Sequence, residues 1–387
     1  MASPRRVAVL IDSWSDYSNH VVKGIVRYVR EHTPWLLLVQ SRDAREQSTV
    51  PGHWRPQGVI ARVTYRALAQ RLRRLGVPVV NVSRSTVPEY DFPQVALDER
   101  AVGHLAAEHL LQQGLRQFAY CGLPSQANYN DTCGPAFADR LAREGRPCHV
   151  FQPPLSAKPP HAGVTIANLQ RWLRRLPKPI GVLGLDPERA YELSEACWAS
   201  EIQVPDEVAI IAGEDDELLC AISHPPLSCI DTGPERVGYE AAARLDRLME
   251  GSSDPGQPQY VPPLGVIARH STDTLAIDDA DVVRAVRFIR QNAFTPIAVS
   301  DVLREVPLSR RALEQRFRAL LGRSPAAEIR RLRIERAKEL LARTDWAIPR
   351  VAAAAGFSYT EVMNQVFRRE LNLTPTLYRR GARAGEL

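Results

Sequence analysis

The sequence predicts an α/β protein of two lobes with doubly wound parallel sheets, followed by a smaller domain made only of helices. Short apolar runs alternate with helical patterns through residues 1–275, and this alternation is typical of βαβ units. From Asp281 to Leu387 the apolar residues recur with helical spacing only. We therefore predict one domain over residues 1–275 and a second over residues 276–387.

Strand and helix candidates alternate along the first domain. After the first apolar run, Val21, Ile25 and Val29 fall on one helical face. Strands are predicted at residues 7–11, 35–39, 58–61, 77–82, 118–121, 180–185 and 208–212, with an extended segment at residues 260–269. Helices are predicted around residues 65–75, 101–113, 187–199 and 234–250. Helices of roughly 10–15 residues between strands provide the crossovers that parallel sheets require.

The second domain has the pattern of two helix-turn-helix units joined by a long helix. The first unit covers about residues 298–321, the linking helix residues 325–342, and the second unit residues 348–371. Ser309 is placed to cap the longer helix of the first unit. The linking helix spans about 25 Å at 1.5 Å per residue. Two such units can present two helices to successive major grooves of DNA.

The two predicted domains also differ in net charge. The whole chain carries 50 Lys and Arg against 44 Asp and Glu, but after residue 277 the numbers are 21 and 13. The basic excess therefore lies wholly in the second domain. A basic helical module behind a nearly neutral body is the electrostatic footprint of a nucleic-acid-binding protein. For any single exposed residue, an ordinary solvated helix face is the alternative.

A resemblance to the AraC/XylS family of transcription regulators is carried by the segment AIPRVAAAAGFSYTEVMNQVFRRELNLTPTLYRR. The matching features are Gly356-Phe357, the later Phe367, Thr374-Pro375 and Tyr378-Arg379. The resemblance implies sequence-specific binding of operator DNA by the longer helix of each unit. The first unit departs from the family at Pro307, where glycine is usual. Because proline disfavours helical backbone at the preceding Val306, we expect a different turn there.

Helical spacing and this resemblance together place the candidate DNA-binding residues on one face of each longer helix. The candidates are Arg310, Arg311, Gln315 and Arg318 in the first unit, and Thr360, Glu361, Asn364, Gln365 and Arg368 in the second. In the major groove arginine pairs with guanine, glutamine pairs with adenine, and glutamate accepts from cytosine. Arg318, Arg323 and Arg368 suit phosphates better, and phosphate contacts fix position rather than sequence.

Polar residues follow several predicted strands of the first domain. The candidate ligand-binding residues are Trp14, Asp16, Tyr17, Arg62, Asp98, Asp186, Glu214 and Asp215. Doubly wound proteins bind ligands at the carboxyl ends of their strands. Carboxylates accept hydrogen bonds from hydroxyl groups while an aromatic ring covers an apolar face, so this set suits a small sugar. For Asp98 and Asp186, which precede helices, the alternative is a helix N-cap.

A second resemblance is carried by the segments ALDERAVGHLAAEHLLQQG, GVLGLDPERAYEL and VPDEVAIIAGEDDELLCAISHPPLSCI, which are similar to LacI/GalR-type repressors and periplasmic sugar-binding proteins. It implies a periplasmic-binding-protein-like sugar sensor. Joined to an AraC-type domain, such a sensor implies a homodimeric activator of sugar catabolic genes, with D-xylose as effector and RNA polymerase as partner. Glu214 stands where aspartate is usual, and Cys133 stands where arginine is expected. Because these differences can change which sugar fits, another small sugar or sugar-like ligand is the alternative effector.

The sequence contains no pattern typical of an enzyme or a metal site. It has no P-loop, HExxH or GxSxG motif, and its six cysteines show no CxxC spacing. We therefore expect no catalytic residues, no cofactor, no metal and reduced core thiols. We find no secretory signal and no membrane-spanning run, which favours a cytoplasmic protein over a periplasmic transport receptor. A DNA-binding protein that responds to no sugar is the remaining alternative, and it would leave the first domain without a role.

Overall fold

The computed structural model describes residues 4–11, 15–32, 34–40, 54–85, 89–123, 129–151, 165–252, 256–273 and 279–384, together with the single residues Val50 and Val87. Its contacts divide the chain into two units. The first unit comprises Met1–Leu111 and Arg116–Thr274, and the second comprises Gln112–Leu115 and Leu275–Leu387. The second unit thus includes a short segment from the earlier part of the sequence.

Strands and helices alternate along the first unit. Its strands are β1 (Arg5–Leu10), β2 (Trp35–Gln40), β3 (Gly58–Ala61), β4 (Val79–Asn81), β5 (Val95–Leu97), β6 (Gln117–Cys121), β7 (Cys148–Val150), β8 (Ile180–Gly184), β9 (Val208–Ala212), β10 (Ser228–Asp231), β11 (Gln259–Val261) and β12 (Gly265–Ile267). The helices that begin in it are α1 (Asp16–Glu31), α2 (Arg66–Arg74), α3 (Glu99–Gln112), α4 (Cys133–Ala142), α5 (Ile166–Arg175), α6 (Pro187–Trp198), α7 (Glu217–Ile222) and α8 (Pro234–Met249). A 3-10 turn, His270–Thr272, follows β12.

Two largely parallel sheets form the frame of the first unit. The first has the strand order β2-β1-β3-β4, with every pair parallel. The second has the order β12-β10-β9-β8-β6-β7, in which β12 runs antiparallel to β10. A short parallel pair joins β5 to β11. Helices connect the parallel strands, as in doubly wound folds, so the predicted fold class of this part is confirmed.

Strand β1 is buried on both faces. Val7 and Val9 pack with residues of α1 and α8, whereas Ala8 and Leu10 pack with residues of α2. Successive strand residues point to opposite faces of a sheet, so each face needs its own covering helices. This double burial explains why the strand is apolar at successive positions instead of alternating between apolar and polar residues.

Helices α1 and α8 approach each other at two glycines. A Cβ atom at Gly24 would lie 1.9 Å from the Glu235 carbonyl oxygen, and one at Gly238 would lie 1.9 Å from the Val21 carbonyl oxygen. Only glycine allows the two backbones to pack this closely. The contact brings α8, which follows a strand of the second sheet, onto the first sheet, where Val237 is fully buried.

The second unit is helical. Its helices are α9 (Ala280–Asn292), α10 (Val299–Glu305), α11 (Arg310–Leu321), α12 (Pro325–Arg343), α13 (Ile348–Ala354), α14 (Thr360–Leu371) and α15 (Pro375–Ala384). As predicted, Ser309 caps α11 by accepting a hydrogen bond from the Ala312 N–H at 3.2 Å. Leu313 and Phe317 on the inner face of α11 are fully buried. Helices α10 and α11 form one helix-turn-helix unit, α13 and α14 form the other, and α12 links them.

The turns of the two helix-turn-helix units are built differently, as Pro307 predicts. Helix α10 ends at Glu305, and Val306 has extended backbone with φ −134° and ψ 143°. The second turn instead contains Gly356 with a φ of 82°, and a Cβ there would lie 2.6 Å from the Ala293 carbonyl oxygen. Left-handed backbone and lack of space therefore require glycine in the second turn, whereas extended backbone before a proline serves the first.

None of the helices in the described ranges is long and apolar enough to cross a membrane.

Candidate effector site and nucleic-acid interface

Strand ends from both sheets bring polar side chains together in the first unit. Tyr17 lies in the first turn of α1, which follows β1, while Arg62 follows β3 and Glu214 follows shortly after β9. Tyr17 lies close enough to Glu214 and Arg62 for their charges to act on its pKa. The structure therefore groups three of the predicted ligand-binding residues, at the position where doubly wound proteins hold ligands.

Arg84, which follows β4, bridges two carboxylates in this group. Its Nη1 atom lies 3.2 Å from Glu99 Oε1 and 3.8 Å from Glu214 Oε2. Glu99 also accepts hydrogen bonds from the Tyr129 hydroxyl at 2.9 Å and from the Thr132 hydroxyl at 3.3 Å. Burial alone would lower the pKa of Arg84, but Glu214 and Glu99 raise it well above its ordinary value. The guanidinium is therefore a fixed positive charge held between two acids.

Burial changes the protonation of the same site. It raises the pKa of Glu214 to about 7, although Arg84 acts in the opposite direction. Burial and then Glu214 raise the pKa of Tyr17, so its hydroxyl stays neutral. That hydroxyl is buried and has no hydrogen-bond partner among the described residues. An unpartnered buried hydroxyl costs about 1–3 kcal/mol, and a hydroxyl group of a ligand would remove this cost.

Two predicted ligand residues are helix N-caps. Asp98 Oδ1 accepts a hydrogen bond from the Ala101 N–H at 3.0 Å, at the start of α3. Asp186 Oδ1 accepts one from the Arg189 N–H at 2.8 Å, at the start of α6. The capping alternative is thus the one the structure shows for both side chains. Asp186 still lies close enough to Glu214 to raise its pKa.

Two further predicted residues, Asp16 and Asp215, have partners other than the group around Arg84. Asp16 pairs with His20 one turn along α1, with 3.2 Å between Oδ1 and Nδ1. Asp215 pairs with Arg269, with 3.1 Å between Oδ1 and Nη2. Its carboxylate is therefore satisfied by an arginine that follows β12, not by a member of the group. Trp14 lies outside the described residues.

Sequence reasoning missed Arg84, Glu99 and Tyr129 as members of the site. Arg84 follows the predicted strand at residues 77–82, so the rule that identified Arg62 applies to it equally. Glu99 follows β5, whose three residues are too few to show a strand pattern. Tyr129 follows no predicted strand end, and its sequence position carries no signal for this role.

The arrangement suits a neutral ligand rich in hydroxyl groups. Glu99 and Glu214 offset the charges of Arg84 and Arg62, which leaves little net charge to attract a phosphate or a carboxylate. Carboxylate oxygens accept hydrogen bonds from ligand hydroxyls, and guanidinium N–H groups donate to ligand oxygens. Hydrogen bonds to charged groups contribute about 1.5–3 kcal/mol each, so a few of them orient a small ligand.

Cys133, which stands where the resemblance leads us to expect arginine, is the first residue of α4 and is fully buried. Burial raises its pKa well above the ordinary value, and Asp131 and Glu99 act in the same direction. The thiol is therefore neutral, and it lies near enough to Glu99 and Arg84 to interact with them electrostatically. A neutral thiol cannot supply the paired donors that a guanidinium in its place would offer.

The predicted DNA-binding face of the first helix-turn-helix unit is exposed on α11. Arg310, Arg311, Gln315 and Arg318 all face solvent. Glu314 pairs with Arg310 at 3.3 Å and with Arg318 at 3.8 Å. Arg311 forms no hydrogen bond or ion pair with any residue in the described part of the chain. Arg311 can therefore approach a base without first breaking an ion pair.

The corresponding face of the second helix-turn-helix unit lies on α14. Its outward residues are the exposed Glu361, Gln365 and Arg368 and the half-buried Thr360 and Asn364. The opposite face is fixed in the core by Met363 and Phe367, both fully buried. Each longer helix thus has an apolar face that anchors it and a polar face free to enter a major groove.

A buried carboxylate organises the linking helix α12. Glu328 is fully buried, and it accepts hydrogen bonds at 2.9 Å from Nε and from Nη2 of Arg331, and another from Arg323. Gln112, the last residue of α3 and a member of the second unit, accepts from Arg323 at its carbonyl oxygen, 3.2 Å away, and from Arg331 at Oε1, 3.4 Å away. Burial alone would raise the pKa of Glu328, but Arg331 and Arg323 lower it to about 2.

Three family models match successive parts of the chain. A XylR N-terminal domain matches residues 6–99, a periplasmic binding protein-like domain matches residues 107–272, and a helix-turn-helix domain matches residues 302–381. The first two matches lie in the first unit apart from Gln112–Leu115, and the third lies in the second unit. The order of sensor and helix-turn-helix parts predicted from the sequence is therefore confirmed.

Relatives and a solved structure match nearly the whole chain. A xylose operon regulatory protein of Escherichia coli strain K12 is 30% identical, with 97% of this chain and 96% of the relative covered. One of Haemophilus influenzae is 29% identical, with 97% and 98% covered. The structure of a xylose-binding transcription activator is 29% identical, with a TM-score of 0.62 and 98% of each chain covered.

A more distant structure supports the fold of the first unit alone. It is a periplasmic binding protein/LacI transcriptional regulator of Alkaliphilus metalliredigens in complex with D-xylulofuranose, 16% identical, with a TM-score of 0.53 and 70% of this chain covered. The full-length matches and the helix-turn-helix match lead to one assignment. The chain belongs to the family of the xylose operon regulatory proteins, the DNA-binding, sugar-responsive regulators of transcription.

Proposed function

We propose that this protein activates sugar catabolic genes in response to D-xylose bound at the site of Arg84, Glu99 and Glu214. The observation that carries the proposal is one half-buried arginine held between two buried carboxylates, beside a buried tyrosine hydroxyl without a partner among the described residues. A neutral sugar supplies hydroxyl groups that satisfy all of these at once. The names of the full-length relatives support xylose as the sugar.

Calorimetric titration of the full chain tests the effector. We expect D-xylose to bind, and its epimers D-ribose, D-lyxose and L-arabinose to bind more weakly. Arg84→Met should weaken binding at least 10-fold, because it leaves two buried carboxylates without their partner. The matched control is Arg66→Met, since Arg66 forms an exposed pair with Glu89 and should leave affinity unchanged.

The outcomes separate the alternatives for the sensor. Tighter binding of another small sugar would replace D-xylose as effector but keep the site. Failure of every pentose and hexose to bind the folded protein would contradict the sensor role and favour a DNA-binding protein that responds to no sugar.

We infer that α11 and α14 read base edges in successive major grooves. Selection from a random duplex library gives the preferred sequence, and a gel-shift titration then measures affinity. Arg311→Ala should cost about 1–3 kcal/mol and relax the preference at one base pair, as expected for loss of a bidentate contact to guanine. Arg284→Ala on α9 is the control outside both helix-turn-helix units. Unchanged affinity and preference in Arg311→Ala would contradict the role given to this helix.

We infer that the bound sugar closes the cleft between the two lobes of the sensor and shifts a two-state equilibrium, which changes how the protein presents its helix-turn-helix units to the operator. Equal operator affinity with and without D-xylose would exclude this coupling.

We infer that the regulator acts in the cytoplasm as a homodimer, with RNA polymerase as partner and with no enzymatic activity of its own. Two copies would bring four helix-turn-helix units to a two-part operator, and closed two-fold symmetry is the commonest arrangement of soluble oligomers. Sedimentation of the protein on operator DNA, with and without D-xylose, tests the dimer. One copy per operator under both conditions would contradict it.

A further inference from the structure

Two buried cysteines, an aspartate and an arginine meet beside the second sheet. Cys220 lies on α7 and Cys229 on β10, and both are fully buried. Their sulfur atoms and a carboxylate oxygen of Asp215 all lie within 4.8 Å of one another. Cys229 Sγ is 2.9 Å from Asp215 Oδ1 and 2.9 Å from Nη1 of Arg269. This cluster takes no part in the effector site or the DNA-binding faces described above.

The guanidinium of Arg269 makes this cluster less suited to a metal ion than to thiol chemistry. Two thiols and a carboxylate are ligands that zinc accepts. However, Arg269 contacts both Cys229 Sγ and Asp215 Oδ1, so a permanent positive charge already lies against two of the three ligand atoms. This charge repels a divalent cation and stabilises a thiolate. The geometry therefore favours thiol redox chemistry.

The backbone holds the two cysteines side by side. The Leu227 N–H donates to the Cys220 carbonyl oxygen at 2.9 Å, and Cys229 lies two residues further along. A hydrogen bond from Cys229 lowers the pKa of the Cys220 thiol, which makes Cys220 the better nucleophile of the pair. Both cysteines are fully buried, whereas the side chains of Asp215 and Arg269 that lie against Cys229 are each 24% exposed, so displacement of these two side chains is the route that the proposal requires for a small oxidant.

We propose that Cys220 and Cys229 form a reversible disulfide when the protein meets hydrogen peroxide. The Cys220 thiolate attacks one peroxide oxygen, the O–O bond breaks, and the departing hydroxide takes up a proton to become water. The resulting sulfenic acid is attacked by the Cys229 sulfur, its S–O bond breaks, and a second water leaves with the thiol proton. Two thiols are oxidised to one disulfide while one peroxide is reduced to two waters, and a dithiol reductant reverses the reaction.

Peptide mass spectrometry of the full chain tests the proposal. The protein is treated with hydrogen peroxide, its remaining thiols are alkylated, and it is digested. We expect two of the six thiols to disappear and one cross-linked species, lighter by two hydrogen atoms, to join Cys220 and Cys229. Dithiothreitol should restore both thiols. Cys220→Ser should form no cross-link, whereas Cys197→Ser, which removes another fully buried thiol, should still form it.

Three results would overturn the proposal. All six thiols could survive excess peroxide, or thiols could be lost by over-oxidation without the cross-link. Zinc bound at one ion per chain and protecting Cys220 and Cys229 from peroxide would instead identify a metal site. The cross-link is mapped in the protein without substitutions. The test therefore remains decisive even if the Cys220→Ser variant does not fold.

Discussion

Neutralising the buried carboxylate of α12 should destabilise the second unit strongly. Glu328 is fully buried between Arg331 and Arg323, and its pKa is lowered from 4.5 to about 2. A difference of about 2.5 pKa units corresponds to roughly 3 kcal/mol of stability. Glu328→Gln loses this contribution and leaves two arginines without their acid, so a loss of about 3–5 kcal/mol is expected.

Hydrogen exchange of α12 measures this loss in the full chain without assuming that both units unfold together. Each 1.4 kcal/mol corresponds to a factor of ten, so protected amides of α12 should exchange about 100-fold faster or more in Glu328→Gln. Glu335→Gln is the matched control on the same helix. Glu335 is half exposed and pairs with Lys338 at the surface, a contact expected to contribute less than about 0.5 kcal/mol.

The pH dependence gives an independent check of the same carboxylate. Because the folded-state pKa lies below the unfolded value, the contribution is fully present above about pH 4.5 and is lost as pH falls toward about 2. The difference in exchange between the original chain and Glu328→Gln should narrow over that range. Wild-type exchange rates in α12 of Glu328→Gln at neutral pH would refute the reasoning.

Three further perturbations follow from the structure. Gly356→Ala should destabilise the second unit by well over 1 kcal/mol in thermal unfolding, because its Cβ would lie 2.6 Å from a carbonyl oxygen. The control Gly322→Ala has left-handed backbone but open space, so it should cost only about 1 kcal/mol. Equal costs of the two substitutions would contradict the steric account. Asp246→Ala should cost about 2–4 kcal/mol, since Asp246 accepts from Arg5 at 2.9 Å and from the buried Tyr28 hydroxyl at 3.0 Å, and an unchanged melting temperature would count against this. Glu214→Gln should become relatively more stable than the original chain as pH rises from about 4.5 to 7, by up to roughly 3 kcal/mol, because burial of Glu214 destabilises its charged form; a difference independent of pH would rule this out.

The sequence predicts the frame of this protein better than its short elements. Strands β3 and β9 are uniformly apolar, β1 is apolar from Val7 onward, and all three lie within a residue or two of their predicted bounds, because these stretches are buried on both faces. Strands β5, β7 and β11 have three residues each, too few to show a period. Their extended backbone comes from pairing with distant strands, as β11 pairs with β5. Information of that kind is not contained in a local window of sequence.

The candidate effector site shows the same difference between local and long-range information. The rule that ligands lie at strand ends selects Tyr17, Arg62 and Glu214, which the structure groups, since each follows a strand that the sequence predicts. It cannot tell a ligand residue from a helix cap, and Asp98 is a cap. Nor can it predict which distant side chains meet: Arg84 and Glu214 are brought within 3.8 Å by elements of two different sheets.

Cys133 and Glu214, the two departures expected in the sensor domain, both bear on the charge of the candidate effector site. Cys133 replaces an expected guanidinium with a neutral thiol, so the site lacks one positive charge. The longer side chain of Glu214 lies buried with a pKa of about 7, so near neutral pH it is only partly ionised and the site also lacks part of a negative charge. The ionisation of Glu214 near neutral pH therefore depends on the positive charges that lie near it. If so, replacing Cys133 with arginine should lower the pKa of Glu214, because a new guanidinium nearby stabilises the carboxylate.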